Sequence, residues 1–163
     1  MTTLTPQRPA TASPDGLIPA PDRDRRTRRD DDAWRELVDA VRDSGQYPTR
    51  AEAEGVTRVV LSALGGHVVG EERVDLARAL PEEAARVVAS QIPATRTLTA
   101  AEFVDSVAAR IEGATPATAR WDVSSVLSVL SARVGESLTT RVLDQLPPGY
   151  ALLFGRADLA SMA

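Results

Sequence analysis

Cysteine and lysine are both absent from this sequence of 163 residues. Without cysteine there can be no disulfide, no thiolate nucleophile and no cysteine metal ligand. The basic residues other than one His are all Arg, which we attribute to GC-rich codon usage rather than to a need for guanidinium chemistry. Trp, Tyr and Phe occur only twice each. The core must therefore consist mainly of Val, Leu, Ile and Ala, which suits close helix packing and leaves little surface for stacking on bases.

Long apolar runs are missing as well. Residues Met1 to Ala20 lack the continuous apolar region of a signal sequence, and the longest uncharged stretch, Val59 to Gly70, is far shorter than the roughly 20 residues that span a bilayer. We therefore expect a cytoplasmic protein without membrane contact. The net charge is −4. Met1 to Asp32 holds equal numbers of Arg and Asp, so the rest of the chain is acidic and disfavours nucleic acid as a partner.

The first 29 residues predict a disordered tail. They are rich in Pro, Thr and alternating charge and have no apolar period. The Arg cluster at residues 23–29 has a second interpretation, as an arm for an acidic partner, but neighbouring Asp residues neutralise it. Residues 30–156 have enough apolar content for one domain, and residues 157–163 predict a short C-terminal tail.

A shift of 66 residues aligns the chain with itself without a gap over about 57 positions, of which about 15 are identical. The two predicted repeats cover residues 32–88 and 98–154. The clearest matches pair Val60 to Leu64 with Val126 to Leu130, and Leu80-Pro81 with Leu146-Pro147. A repeat of this length buries its apolar faces poorly alone. We therefore predict an all-α fold in which two pseudo-symmetric helical repeats pack as one bundle-like domain.

Helix-start signals recur in both repeats. Thr49 with Glu52, and Thr99 with Glu102, have the spacing of an N-terminal capping box. Thr115-Pro116 predicts the start of a long helix, because proline fits the first helical turn. After Thr49 the apolar residues share one helical face: Val56, Val59, Val60, Ala63 and Leu64.

Two glycine positions lead to further structural predictions. Gly65-Gly66 predicts the end of the second helix, because glycine tolerates the left-handed conformation common there. Gly55 matches Trp121 in the second repeat, the smallest residue against the largest. We predict that Trp121 lies against the helix of Gly55, where the missing side chain leaves room.

The candidate functional residues all have a stronger structural interpretation. His67 is the only histidine, so any His-centred relay or metal site must include it, yet it follows a helix-ending turn and matches Arg133. The acidic pairs Glu71-Glu72 and Glu82-Glu83 could bind a divalent cation, but both lie in predicted first turns, where carboxylates favour the helix dipole. We therefore predict no catalytic, cofactor-binding or metal-binding residue and no cofactor.

Phosphate-binding loops of the GxGxxG and GxxxxGK[ST] types do not occur. Leu80-Pro81 and Leu146-Pro147 are explained by corners between helices, with Leu as a core anchor. The run Gly149 to Phe154 is either a partly open docking patch or a core helix, and its match to the first repeat favours the core helix.

The paired units, each with a Val-Leu-Ser-x-Leu helix followed by Leu-Pro, resemble a bacterial family catalogued as domain of unknown function 2267. The resemblance covers Trp34 to Arg156 and implies an all-helical two-repeat domain. It implies no catalytic residue. Glu82-Glu83 and Ala84 replace the more apolar residues that the family leads us to expect after the first Leu-Pro.

The functional hypothesis that fits best is a non-catalytic protein-interaction or regulatory module whose protein partner and oligomeric state the sequence does not identify. The alternative is a DNA-binding regulator, since short helices joined by Gly-containing turns can resemble a helix-turn-helix. An enzyme is the third possibility, and it would need a pocket that gathers several ionisable groups.

Overall fold

The computed structural model describes the backbone of residues 20–156 and the side chains of residues 22–156. This part of the chain contains no β-strand, as the all-α prediction requires. Its eight helices are α1 (Ala20–Gly45), α2 (Arg50–Gly65), α3 (Gly70–Ala79), α4 (Glu82–Ala89), α5 (Ala100–Ala108), α6 (Pro116–Val134), α7 (Glu136–Asp144) and α8 (Tyr150–Leu153). None of them combines the length and apolar character needed to cross a bilayer. The predictions for residues 1–19 and 157–163 lie outside the described residues.

Helix α1 begins at Ala20, and for residues 22–29 the prediction of a disordered tail is wrong. The side chains of residues 22–29 are all exposed, so burial does not hold this segment in place. It extends a helix whose later part is anchored in the core by Trp34 and Leu37. Adding residues to a helix that is already nucleated costs little, and Arg is a good helix former. The alternating charges that indicated a solvated tail are equally compatible with a solvated helix.

The helices of the second half follow those of the first at the predicted offset. Arg50 and Pro116 begin α2 and α6, and Gly70 and Glu136 begin α3 and α7, in both cases 66 residues apart. The helices at matched positions also pack on each other, α2 on α6 and α3 on α7. Twofold symmetry between the halves remains a prediction, which superposition of the two backbones would test.

The capping predictions hold with one exception. Thr99 and Glu102 form a complete capping box, in which each side chain bonds the backbone amide of the other residue. Thr49 accepts a hydrogen bond from the amide of Glu52 at 3.2 Å, but no reciprocal bond from the Glu52 side chain is formed. At the start of α6, Thr115 is capped reciprocally by the hydroxyl of Thr118.

The C-terminal ends of α2 and α4 meet so closely that Gly65 is required there. A Cβ at Gly65 would lie 2.6 Å from the carbonyl oxygen of Val88. Gly66 has a φ of −75°, so the prediction that a left-handed conformation explains this pair is wrong. Arg73 of α3 joins the two ends by donating to four carbonyl oxygens, those of Gly65, Val88, Ala89 and Gln91, at 2.8, 2.9, 3.0 and 2.6 Å.

All eight helices contribute buried residues to one apolar core. Tyr150 is fully buried, packs edge-on against Phe103 with ring centroids 5.4 Å apart, and donates its hydroxyl to the carbonyl of Leu98 at 2.9 Å. Leu153 and Phe154 are buried too, so the core-helix interpretation of this run is correct for these three residues. Leu152 between them is half exposed.

Trp121 is 56% exposed and does not fill the space beside Gly55. Its indole nitrogen donates to the carbonyl of Gly45, at the end of α1, over 3.0 Å. A Cβ at Gly55 would meet no atom within 4 Å, so the predicted contact between the two residues is wrong. The indole N–H instead satisfies one of the carbonyls that a helix end leaves without an intrahelical partner.

Candidate docking groove

An open groove of about 500 Å³ lies between α5, the start of α6 and α8. This volume falls within the range of roughly 300–1,000 Å³ that is typical of ligand pockets. Most of its wall is apolar. The lining residues are Ala100, Ala101, Val104, Asp105, Pro116, Ala117, Arg120, Gly149, Leu152 and Leu153. We call this surface the second-half groove.

Short residues at three helix starts create the recess. Ala100 and Ala117 lie in the first turns of α5 and α6, and Gly149 precedes α8. Gly149 has a φ of +99°, a left-handed conformation that favours glycine, and a Cβ there would be 3.3 Å from Cβ of Ala100. No longer side chain fills the space between these backbones, so the groove stays open.

Two oppositely charged side chains border the apolar wall. Asp105 comes from α5 and Arg120 from α6, and both are exposed. Neither forms an ion pair with any residue in the described part of the chain. The groove thus offers an anionic and a cationic group to a molecule that enters it.

The matched surface of the first half is filled. The residue that corresponds to Ala100 is Trp34, whose side chain is only 9% exposed and belongs to the core. The guanidinium of Arg58 lies over the Trp34 ring, 4.9 Å from its centroid. Such a contact adds a cation–π attraction to the burial of the ring. Trp34 and Arg58 thus place large side chains at positions whose counterparts in the second half are Ala100 and Ser124.

Two ion pairs hold the Arg58 side chain over the Trp34 ring. Arg58 donates to Glu54 at 2.9 Å and to Glu83 at 2.8 Å. These two carboxylates match Arg120 and Gly149, which both line the second-half groove. By the 66-residue offset, the residues around Arg58 therefore match residues that line the groove. Asp39, the counterpart of Asp105, is paired with Arg50 through two hydrogen bonds of 2.8 and 3.1 Å.

His67 has the surroundings of a structural residue. Its amide donates to the carbonyl of Leu64 at 2.9 Å, and its ring packs edge-on against Phe103 with centroids 5.8 Å apart. Burial, followed by the positive charge of Arg110, lowers the pKa of His67. A cavity of about 400 Å³ beside it is lined by Arg96 and Gln145 among others. No described side chain hydrogen-bonds to the imidazole, so the geometry assembles no relay around it.

The two acidic pairs lie in the first turns of α3 and α4, where sequence analysis expects them. Glu82 is bound by Arg86 at 2.9 Å and Glu83 by Arg58, while Glu72 accepts from the Gln145 amide at 2.7 Å. Residues 22–156 contain no group of three or more Asp, Glu or His side chains arranged to hold a metal ion. These carboxylates serve helix starts and contacts between helices.

Both Leu-Pro dipeptides form corners in which the leucine is buried. Pro81 is the N-cap of α4, directly before the helix. After Leu146 the chain continues through Pro147, Pro148 and Gly149 before α8 starts, so the second proline does not itself begin the helix. The corner explanation accounts for both dipeptides without a ligand.

A buried hydrogen bond between Tyr47 and Asp122 was not predicted. The Tyr47 hydroxyl donates to a carboxylate oxygen of Asp122 at 2.6 Å and links the α1–α2 connection to α6. Burial raises the pKa of both groups, although the hydrogen bond from Tyr47 lowers that of Asp122 in part. The counterparts of these residues are Gly113 and Val56, so the repeat offered no signal for the pair.

A comparison with protein-family models gives a match over residues 34–153. A search among curated proteins gives no match. The matched range begins at Trp34, includes both Leu-Pro corners and ends inside α8, so it contains the whole second-half groove. Because it spans well over half of the chain, this protein belongs to the family described as uncharacterized conserved protein (DUF2267).

Proposed function

We propose that this protein is a non-catalytic, cytoplasmic protein-interaction module that binds its partner in the second-half groove. The observation that supports the proposal is the apolar recess beside Ala100, at the surface that Trp34 closes in the other half. A mostly apolar, concave surface with a few polar groups at its border is the usual form of a binding site.

The ionisable groups favour binding over catalysis. Catalytic sites bring several such groups into one cleft and perturb their pKa values. In the second-half groove the ionisable side chains are Asp105 and Arg120, both exposed to solvent. The buried Asp122 is engaged with Tyr47, and His67 lies in a different cavity.

The arginines of the helical body argue against the DNA-binding alternative. Arg73 is engaged with four backbone carbonyls, Arg58 with two glutamates, and Arg141 with Asp75. Phosphate binding requires guanidinium groups that are free to leave their partners at low cost. In the described part of the chain, many arginines instead form internal contacts.

A matched pair of variants tests the proposal. Ala117 lines the groove near the start of α6, and its counterpart Ala51 is exposed at the same place in α2. Ala117→Glu puts a charge into the recess, while Ala51→Glu adds the same charge beside the filled surface. We expect proteins that co-purify quantitatively with the full chain from its native extract to be lost with Ala117→Glu and retained with Ala51→Glu.

Two results would contradict this function. One is recovery of the same proteins with both variants, which would exclude the groove as the docking surface. The other is salt-dependent binding of duplex DNA by the full chain with a Kd below about 1 µM, which would favour the DNA-binding alternative.

A further inference from the structure

We propose that the second-half groove takes a tryptophan side chain from a partner protein, in the place that Trp34 occupies in the first half. This inference rests on the proposed function and adds the chemical class of the occupant. It comes from a comparison of positions matched by the 66-residue offset, one of which carries an indole and the other a methyl group.

The first half provides the template for the bound state. Trp34 is buried although it lies close to the exposed N-terminal part of α1, because α2 and α4 supply side chains on both sides of it. At the matched position Ala100 ends at Cβ, while Val104 and Leu153 provide an apolar wall like that of their counterparts Val38 and Val87. At these matched positions the second half therefore keeps apolar residues and lacks the indole.

The path of α1 indicates how a partner segment reaches the groove. In the first half, Thr27, Asp30 and Asp31 on the N-terminal part of α1 lie beside the start of α4, where they line a small polar cleft. In the second half, α5 begins only at Ala100 and no helix extends beyond it. The flank beside α8 therefore lacks the helix that α1 places beside the start of α4.

The charges at the border complete the description of the partner. Asp39 and Glu54 of the first half are satisfied by Arg50 and Arg58, and neither arginine is kept at the matched positions, Pro116 and Ser124. Asp105 is thus free to pair with a cationic group of a partner, and Arg120, which replaces Glu54, with an anionic one. A tryptophan flanked by one basic and one acidic residue satisfies both.

A second copy of this chain fits the groove less well. Its exposed tryptophan is Trp121, but the indole nitrogen of Trp121 is already bonded to the carbonyl of Gly45. Withdrawing the ring to reach another molecule would leave that carbonyl without its donor. A partner with a free tryptophan meets no such cost.

N-acetyl-L-tryptophanamide is a suitable probe, titrated into the full-length ¹⁵N-labelled chain and followed by backbone amide shifts. We expect saturable shifts at Ala100, Ala117 and Gly149, with a Kd on the order of 1 mM, which is reasonable for a ligand of this size. N-acetyl-L-alaninamide should bind at least about tenfold more weakly, because it lacks the apolar surface of the ring.

Ala100→Trp is the decisive variant, since it supplies from within the chain the ring that the partner would provide. We expect it to weaken probe binding at least about tenfold while the remaining amide spectrum stays folded. Ala117→Glu serves as a second blocked variant if Ala100→Trp does not fold. Unchanged probe binding in a folded blocked variant, or equal binding of the two amides, would overturn the inference.

The remaining outcomes separate this inference from the proposed function. If Ala117→Glu loses its co-purifying proteins but the tryptophan probe does not bind, the docking function stands and the tryptophan assignment fails. If the probe binds as expected and protein capture is unaffected, the docking function fails. Self-association that disappears in Trp121→Ala would show that a second copy is the occupant and would overturn the assignment to a different partner.

Discussion

The two halves of this protein use one helical plan but distribute their large side chains differently. In the first half Trp34 covers the outer surface, while the interior position that matches Tyr150 of the second half is the small residue Ala84. In the second half the outer position is Ala100 and the interior one is Tyr150, which packs against Phe103 in the core. One of these aromatic residues covers the surface of its half and the other fills the interior, and the apolar groove lies in the second half.

This comparison shows how a duplicated segment can separate stability from binding. The first half gains the burial of a tryptophan, a cation–π contact and the ion pairs of Arg58. The second half gives up that cover and retains apolar surface facing solvent. A concave, mostly apolar surface of this kind is typical of binding sites. The half without the cover is therefore the one to which we assign the partner.

Trp34→Ala gives the largest expected effect, because it opens on the first half the recess that the second half already has. Truncation of a buried tryptophan costs about 3–5 kcal/mol of unfolding free energy, and we expect a loss of that size in urea unfolding. Trp121→Ala is the control, since removal of this exposed ring and its hydrogen bond should lower the unfolding free energy by only about 1 kcal/mol. Equal losses for the two variants would mean that Trp34 does not seal the surface.

Arg73→Met should give the second-largest effect. It removes the donor shared by four carbonyls at the ends of α2 and α4, and we expect a loss of about 2–4 kcal/mol, since it breaks four charge-assisted hydrogen bonds of which three are partly buried. The matched residue Thr139 bonds only one carbonyl, that of Gly135. Thr139→Val should therefore cost about 1 kcal/mol. A larger loss of unfolding free energy for Thr139→Val than for Arg73→Met would contradict this prediction.

Gly55→Ala should raise the unfolding free energy by about 0.5–1 kcal/mol, because alanine restricts the unfolded chain and favours a helix interior. The added Cβ meets no atom within 4 Å. Gly65→Ala in the same helix should be destabilising, since its Cβ would collide with the carbonyl of Val88. Thermal unfolding of both variants checks the contrast, which fails if Gly55→Ala lowers the melting temperature.

Asp122→Asn should have the smallest effect, seen as a change in the pH dependence of stability. Burial raises the folded-state pKa of Asp122 above its unfolded value, so its favourable contribution exists at low pH and is lost as pH rises through the folded pKa. Asparagine does not titrate but still accepts from Tyr47. In urea unfolding, the difference in unfolding free energy between the variant and the unchanged protein should therefore favour the variant more at pH 7 than at pH 3. A difference independent of pH would contradict this assignment.

Local signals in the sequence were sufficient for most of the helix bounds. The caps at Thr49, Thr99 and Thr115 act within a few residues, so they can be recognised without knowledge of the fold. The error at residues 22–29 has the same origin, because a helix without a buried face gives no apolar period to detect. The 66-residue offset predicted which helices correspond to each other.

The groove and the polar contacts between distant residues could not be predicted from the sequence. The exchange of Trp34 for Ala100 is visible in the alignment of the repeats, but nothing local says whether Tyr150 refills the space. Arg73 and Tyr47 look like ordinary surface residues, and their partners lie 8–18 and 75 positions away. The predicted contact between Trp121 and Gly55 is wrong because a size difference between matched residues does not show which way the larger side chain points.

The sequence by itself determined the all-helical class, the family resemblance and the positions of the helix starts, because hydrogen bonding within a turn and the period of apolar residues are local properties. Only the tertiary structure decided which half has an open surface, which charges face it and which arginines are engaged inside. Those features depend on the distance between side chains far apart in the chain, and packing of the whole domain sets that distance.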